Sequence, residues 1–188
     1  LDQLIDSGLV EQIVEDIPEP PHLVQSISHV QADLVHADGY TGANQAIVIL
    51  DTGVESWHPF LSDRLVEEAC FSSDSEYSTS LCPDGSESQF GDNAANDCSW
   101  TGIAGCDHGT HVAGIAAGLN QSMNGVAPDA NIVAVQVFSE FPARFCGGES
   151  GCILAYRSDQ LAALEWVLND ATTNNIAAIN MSIGGGSH

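Results

Sequence analysis

The chain has 188 residues, in which 26 acidic residues face three basic ones, and its formal net charge is -23. This charge argues against nucleic acid and anionic membrane as partners, because both are negatively charged themselves. A hydrophobic content of 44% is too high for a disordered chain, and no apolar run approaches the ~18 residues that a membrane span needs.

Residues 1–21 differ in character from those that follow. They contain a short amphipathic piece, a Ser-Gly break, an alternating segment at residues 10–17 and three prolines. This pattern predicts the end of a small separate unit followed by a linker. The chain starts without a methionine or a signal-peptide pattern and stops directly after an apolar segment. We therefore expect it to be part of a longer gene product.

From residue 22 onward, the hydrophobic pattern predicts alternating helices and strands. We expect a helix within residues 22–39, where Val30, Leu34 and Val35 have helical spacing, and then a strand at 46–50. A helix of small residues at 109–118 and a buried strand at 132–138 follow. The last two elements are a helix capped by Ser158, with Leu161, Leu164 and Leu168 on one stripe, and a buried strand at 176–181. This order predicts an α/β fold with a doubly wound, mostly parallel sheet. Residues 62–107 lack a sustained period and predict a long surface loop.

The six cysteines lie mostly among Gly, Ser, Asp and Asn, which is typical of loop disulfides in an exported protein. They are Cys70, Cys82, Cys98, Cys106, Cys146 and Cys152. Free thiols or a metal cluster are the alternatives, but no pair shows the C-x-x-C spacing of a zinc site. Cys146 and Cys152 are the easiest pair to join, and three pairings of the other four remain open. The cysteines therefore predict a secreted, extracellular protein.

A histidine in the segment CDHGTHVAG, at residues 106–114, is the strongest functional signal. His108 starts a predicted helix of small residues, where an imidazole is a poor choice for packing. The strand at 46–50 delivers Asp51, and catalytic groups gather at the carboxyl ends of strands in open α/β sheets. An acid that orients a general-base imidazole is two thirds of a serine-hydrolase triad. We therefore predict that Asp51 and His108 meet; the alternative is that Asp51 only caps a turn.

Two neighbouring signals have more ordinary explanations. His108 and His111 could hold a metal together with Asp51, but HGTH lacks the HExxH spacing, so we expect a packed, hydrogen-bonded His111 and no metal. The segment at residues 179–185 predicts a strand that runs into glycines, where an extended peptide could pair with the backbone. A plain strand end is the alternative there. Ser182 is disfavoured as a nucleophile because no strand-to-helix elbow surrounds it.

Five motifs in order resemble those of the subtilisin-like serine proteases, the subtilase family. They are GYTG at residues 39–42, DTGVESWHP from Asp51, HGTHVAGIAAG from His108, GVAPDA at residues 125–130 and INMSIGG at residues 179–185. The resemblance implies a subtilisin-like fold and a serine endopeptidase that acts on protein or peptide substrates. It also implies that Asp51 and His108 are the charge-relay acid and base. Ser182, Ile183 and Gly184 would form the strand that pairs with the substrate.

The same resemblance implies a division of the chain. Residues 1–22 would be the tail of an inhibitory prosegment, and residues 23–188 the N-terminal part of the peptidase domain. The protein would then be made as a zymogen whose own prosegment is its intramolecular inhibitor. Cleavage is expected near residues 22–25.

Some parts of the family pattern do not occur in the 188 residues. Family members use an oxyanion-hole asparagine and a serine in a GTSMA-type motif, both later in the chain. We therefore expect a fold that is incomplete at the C-terminus, with an open sheet edge after Met181, and no activity of these residues alone. A catalytically inactive binding or inhibitory relative is the alternative.

The resemblance also bears on calcium. Phe60 stands where calcium-dependent members have an aspartate after the His-Pro pair, so we do not expect the usual strong calcium site. A second possible Ca²⁺ site consists of Asp92, Asn93 and Asp97, but we expect these residues to form a solvated acidic loop instead. We therefore assign no cofactor from the sequence.

Overall fold

The computed structural model describes residues 27–184 except residues 62, 149 and 170, and all of their side chains except those of residues 172 and 173. The predicted prosegment tail at residues 1–22 and the cleavage region at 22–25 lie outside the described residues. Within the described part of the chain, no helix is long and apolar enough to cross a membrane.

Along the described part of the chain, strands lie between the α-helices and after the last one. The strands are β1 (Ala46–Asp51), β2 (Leu65–Phe71), β3 (Thr79–Ser80), β4 (Ser88–Phe90), β5 (Asn131–Gln136), β6 (Ser139–Phe141), β7 (Cys152–Leu154) and β8 (Ile176–Asn180). The α-helices are α1 (Ala32–Ala37), α2 (His108–Ala117) and α3 (Arg157–Asn169).

The main sheet has the strand order β4-β2-β5-β1-β8. Strand β1 pairs in parallel with β5 and β8, and β5 pairs in parallel with β2. Only β4, at one edge, runs antiparallel to its neighbour. The mostly parallel α/β sheet predicted from the sequence is confirmed. It places the carboxyl end of β1 between two parallel neighbours.

Helices cover both faces of this sheet. Side chains alternate between the two faces of a strand, so Val48 and Leu50 of β1 point to one layer and Ile49 to the other. The first layer contains Ala163 and Val167 of α3, and the second contains Ala113 and Ala117 of α2. The doubly wound arrangement is therefore confirmed, and the small residues of α2 allow it to pack closely on β1.

The prediction that residues 62–107 form only a surface loop is wrong, because β2 lies inside the sheet between β4 and β5. Two consecutive glutamates in LVEEACF hide the apolar pattern of this strand. Glu68 is nevertheless buried, and its carboxylate accepts a hydrogen bond from the Ala95 N–H at 3.2 Å. Burial raises the pKa of the Glu68 carboxyl above its ordinary value. Backbone pairing thus overrides the local pattern.

Two predicted apolar stripes are largely exposed. Around α1, Ala32 is buried, whereas the exposed apolar positions are Val30, Leu34 and Val35. On α3 the buried positions are Asp159, Ala163 and Val167, whereas Leu161 and Leu168 are exposed. The helix also starts at Arg157, so Ser158 lies within its first turn and is not its cap. Helical spacing predicts which residues share a face, but not which face is covered.

Strand β8 is not the buried strand that its apolar sequence predicts. It lies at the edge of the sheet opposite β4, and its only strand partner among the described residues is β1. Ile179 is 42% exposed as a result. This edge and the exposed side of α3 border an apolar groove lined by Leu164, Leu168 and Ile176.

Three disulfides cross-link the loops, and two of them attach a loop to a strand. They join Cys70 to Cys82, Cys98 to Cys106, and Cys146 to Cys152. The last of these closes the loop before β7, which belongs to a small antiparallel sheet with the order β3-β6-β7. The sequence left the pairing of the first four cysteines open, and the distances between these cysteines in the fold select it.

Candidate active site

The end of β1 and the start of α2 bring Asp51 and His108 into contact. The Nδ1 atom of His108 lies 2.8 Å from Oδ1 of Asp51. An ionised carboxylate can only accept, so Nδ1 carries the proton and donates it. The same Oδ1 accepts the Thr52 N–H at 2.7 Å. Asp51 is fully buried, whereas the His108 side chain is 48% exposed.

A glycine makes this contact sterically accessible. Gly109 is the second residue of α2, and a Cβ atom at this position would lie 2.2 Å from the carbonyl oxygen of Gly53 and 3.1 Å from Cβ of Asp51. Any side chain there would push the start of α2 away from the end of β1. Gly109 therefore sets the distance between the acid and the imidazole.

Thr52 connects the two elements and was missed by the sequence reasoning. Its hydroxyl donates to the carbonyl oxygen of Cys106 at 3.0 Å and accepts the Gly109 N–H at 2.9 Å. The second bond satisfies one of the donors that a helix start leaves unpaired. Cys106 is held in turn by its disulfide to Cys98. The available signal was the position of Thr52, directly after Asp51 in DTGV.

An open cleft of about 710 Å³ lies beside His108. Its walls include the three residues predicted to pair with a substrate, Ser182, Ile183 and Gly184. They also include Ile153 and Leu154 of β7, which the sequence reasoning did not single out. The structure thus brings the predicted acid, imidazole and substrate strand to one place.

The second histidine does not take part in this arrangement. His111 has a 72% exposed side chain, and its Nε2 atom lies 3.8 Å from Oδ2 of Asp107. The expectation of a packed, hydrogen-bonded His111 is therefore wrong. Within the described residues, no group of three or more His, Cys, Asp and Glu side chains is placed to hold a metal ion.

The candidate calcium ligands Asp92 and Asp97 interact with other residues of the protein. The Asp97 carboxylate accepts the Ser99 N–H at 3.3 Å and the Thr110 hydroxyl at 3.4 Å. Asp92 lies near enough to the Glu68 carboxyl to add to the rise in its pKa. Calcium binding by Asp92, Asn93 and Asp97 stays an untested alternative to the loop without calcium that the sequence favoured.

Comparison with known proteins agrees with this geometry. A model of the subtilase family matches residues 42–188. Subtilisin E of Bacillus subtilis (strain 168) is 34% identical over 161 residues, which are 85% of this chain and 32% of that protein. A subtilisin of Bacillus pumilus is 34% identical over 161 residues, 85% of this chain and 44% of its own length. The major intracellular serine protease of Bacillus subtilis (strain 168) is 29% identical over 178 residues, 92% of this chain and 44% of that protein. The chain spans less than half of the length of each.

Proposed function

The chain belongs to the subtilase family, and on that premise we propose that its protein is a serine endopeptidase that acts on protein or peptide substrates. The observation that carries the proposal is the hydrogen bond between buried Asp51 and half-exposed His108 at an open cleft. In this proposal Asp51 is the orienting acid and His108 is the general base.

The geometry suits these two roles. With Nδ1 donating to Asp51, the Nε2 atom of His108 is left to act as a base, and it has no hydrogen-bond partner among the described side chains and backbone groups. It would take the proton of a nucleophilic serine as the serine attacks the peptide carbonyl, and would return it to the leaving amine. The negative charge of Asp51 would stabilise the imidazolium that forms between these steps.

The serine belongs, in this proposal, to protein sequence outside these 188 residues. The family resemblance places it in a GTSMA-type motif together with an asparagine for the oxyanion hole. The residues of this chain would then supply the acid, the base and part of the substrate cleft. Alone, they would be inactive, because binding and electrostatics without a nucleophile leave only a small residual rate.

The substrate would bind as an extended strand along Ser182, Ile183 and Gly184. Their place in the cleft with His108 supports this assignment, and their glycine permits close approach of a second backbone. The apolar side chains of Ile153 and Leu154 line the same cleft and would contact substrate side chains. Backbone pairing would therefore position the scissile bond beside the imidazole.

We further propose that the protein is secreted as a zymogen. Residues 1–22 would be the tail of its inhibitory prosegment and residues 23–188 the first part of the peptidase domain. Three disulfides support an oxidising compartment, where such bonds form and persist.

The test uses the complete protein encoded by the gene, folded under oxidising conditions. We expect it to hydrolyse a fluorogenic peptide and to be labelled by a fluorophosphonate, which reacts with activated serines. His108→Ala should lower kcat by about 10⁴- to 10⁶-fold. His111→Ala, three residues away with an exposed side chain, is the matched control and should leave kcat within about twofold.

Other outcomes would favour the rival functions. Peptide binding without hydrolysis or labelling would support an inactive binding relative. Stoichiometric zinc in the purified protein, with activity abolished by a chelator, would support a metal hydrolase instead.

A further inference from the structure

A second open pocket, of about 520 Å³, lies apart from the cleft at His108. Two tryptophans and two carboxylates line it, and we call it the tryptophan–carboxylate pocket: Glu55, Trp57, Asp97 and Trp100. Trp57 is 63% exposed and Trp100 is 68% exposed. Large aromatic side chains that share an exposed concave site are typical of binding surfaces.

The two carboxylates have no cationic partner in the described part of the chain. Neither Glu55 nor Asp97 forms an ion pair there. The chain has three basic residues besides its histidines, and each lies elsewhere. Arg64 donates to the backbone of Phe60 and Pro128, Arg144 stacks on Phe145 at 4.8 Å, and Arg157 lines the cleft at His108. A cation for this pocket must therefore come from other sequence or from another molecule.

The walls of the pocket are fixed to the helix that carries His108. Trp100 lies in the short helix Ser99–Thr101, which begins directly after Cys98. Cys98 is disulfide-bonded to Cys106, two residues before His108. On the other wall, the Glu55 N–H donates to the Thr110 hydroxyl at 2.9 Å. That hydroxyl in turn donates to Asp97 at 3.4 Å. These anchors preorganise the pocket, so little conformational freedom would be lost on binding.

From these observations we propose that the tryptophan–carboxylate pocket binds an arginine side chain of a polypeptide substrate. This proposal rests on the proposed function, because it assumes that the protein acts on polypeptides. A planar guanidinium stacks on an indole face and pairs with a carboxylate at the same time, which a compact ammonium does less well. The net charge of -23 would draw basic polypeptides toward the surface. Residues 1–26 contain no arginine or lysine, so the predicted prosegment tail does not supply the occupant.

The test measures peptide binding by the complete protein carrying His108→Ala, with its prosegment removed after folding by a second protease, so that neither hydrolysis nor the proposed inhibitor interferes. Two peptides differ only in one residue, arginine or its neutral isostere citrulline, and binding is followed by calorimetry at low salt. We expect the arginine peptide to bind about tenfold more tightly. Glu55→Gln or Trp100→Leu should each reduce this preference to about threefold or less. Glu76→Gln removes the same charge at an exposed site elsewhere and should leave the preference unchanged.

The results distinguish this proposal from the protease proposal. Equal binding of the two peptides, or an arginine preference that survives Glu55→Gln and Trp100→Leu in variants with unchanged Tm, overturns the pocket assignment even if the protein is a protease. Displacement of the arginine peptide by millimolar Ca²⁺ but not by Na⁺ of equal ionic strength also overturns it, in favour of a metal site. A preserved arginine preference in a protein that never hydrolyses peptides supports the pocket and refutes only the protease assignment.

Discussion

Replacement of Asp51 by asparagine tests the central arrangement at constant side-chain shape. In the structure Oδ1 accepts two N–H groups, from His108 at 2.8 Å and from Thr52 at 2.7 Å. If the asparagine nitrogen takes the place of Oδ1, it faces two donors, and His108 must change tautomer to accept from it. The proton then sits on Nε2, and the imidazole is no longer a base.

The other orientation of the amide is also unfavourable. The Oδ2 atom of Asp51 is buried and has no hydrogen-bond partner among the described residues. An NH₂ group in that place is a buried donor without an acceptor, which costs about 1–3 kcal/mol. The negative charge that would stabilise the imidazolium in the proposed mechanism is lost as well. We therefore expect kcat to fall by about 10⁴-fold, as for loss of this charge in other triads, which corresponds to about 5 kcal/mol of transition-state stabilisation.

The assay is steady-state hydrolysis of a fluorogenic peptide by the complete protein. Asp107→Asn is the matched control, because Asp107 is adjacent to His108 in sequence, yet its side chain is 62% exposed and lies 3.8 Å from the exposed imidazole of His111. That variant should keep kcat within about twofold, because exposed ion pairs contribute little. An Asp51→Asn enzyme with more than a tenth of wild-type kcat, or equal losses in both variants, would refute the reasoning.

Two further predictions follow from buried positions. Gly109→Ala should destabilise the protein by about 1–3 kcal/mol and lower kcat by about 100-fold, because its Cβ would collide with the backbone beside Asp51. Gly148→Ala is the control: its Cβ would meet no atom within 4 Å, so it should change neither quantity. Chemical denaturation measures the stability of both variants, and steady-state kinetics measures their kcat. The raised pKa of Glu68 means that the folded state binds its proton more tightly than the unfolded state, so the contribution of Glu68 to stability falls as pH rises from about 4.5 through the raised value. The Tm of Glu68→Gln minus that of wild type should therefore become more positive as pH rises above 4.5, and an equal change for exposed Glu76→Gln would contradict this explanation.

The main sheet was largely predictable because its strands and helices carry local patterns. The apolar run before Asp51 and the small residues after His108 correspond to β1 and α2. Strand β2 was not predictable in the same way, since Glu67 and Glu68 interrupt its pattern. Its stability comes from pairing with β5, whose residues lie more than 60 positions later in the chain.

In the candidate site, too, some features were predictable from the sequence and others were not. The sequence by itself determined the chemical groups: an aspartate at a strand end, a histidine at a helix start and a glycine-rich strand that resemble a protease. Only the tertiary structure decided that Asp51 and His108 lie 2.8 Å apart, that the Thr52 hydroxyl links the end of β1 to the start of α2, and that His111 points to solvent. Motifs record which side chains a chemistry needs. Distances and exposure depend on contacts between segments that are remote in the chain, and no local pattern encodes them.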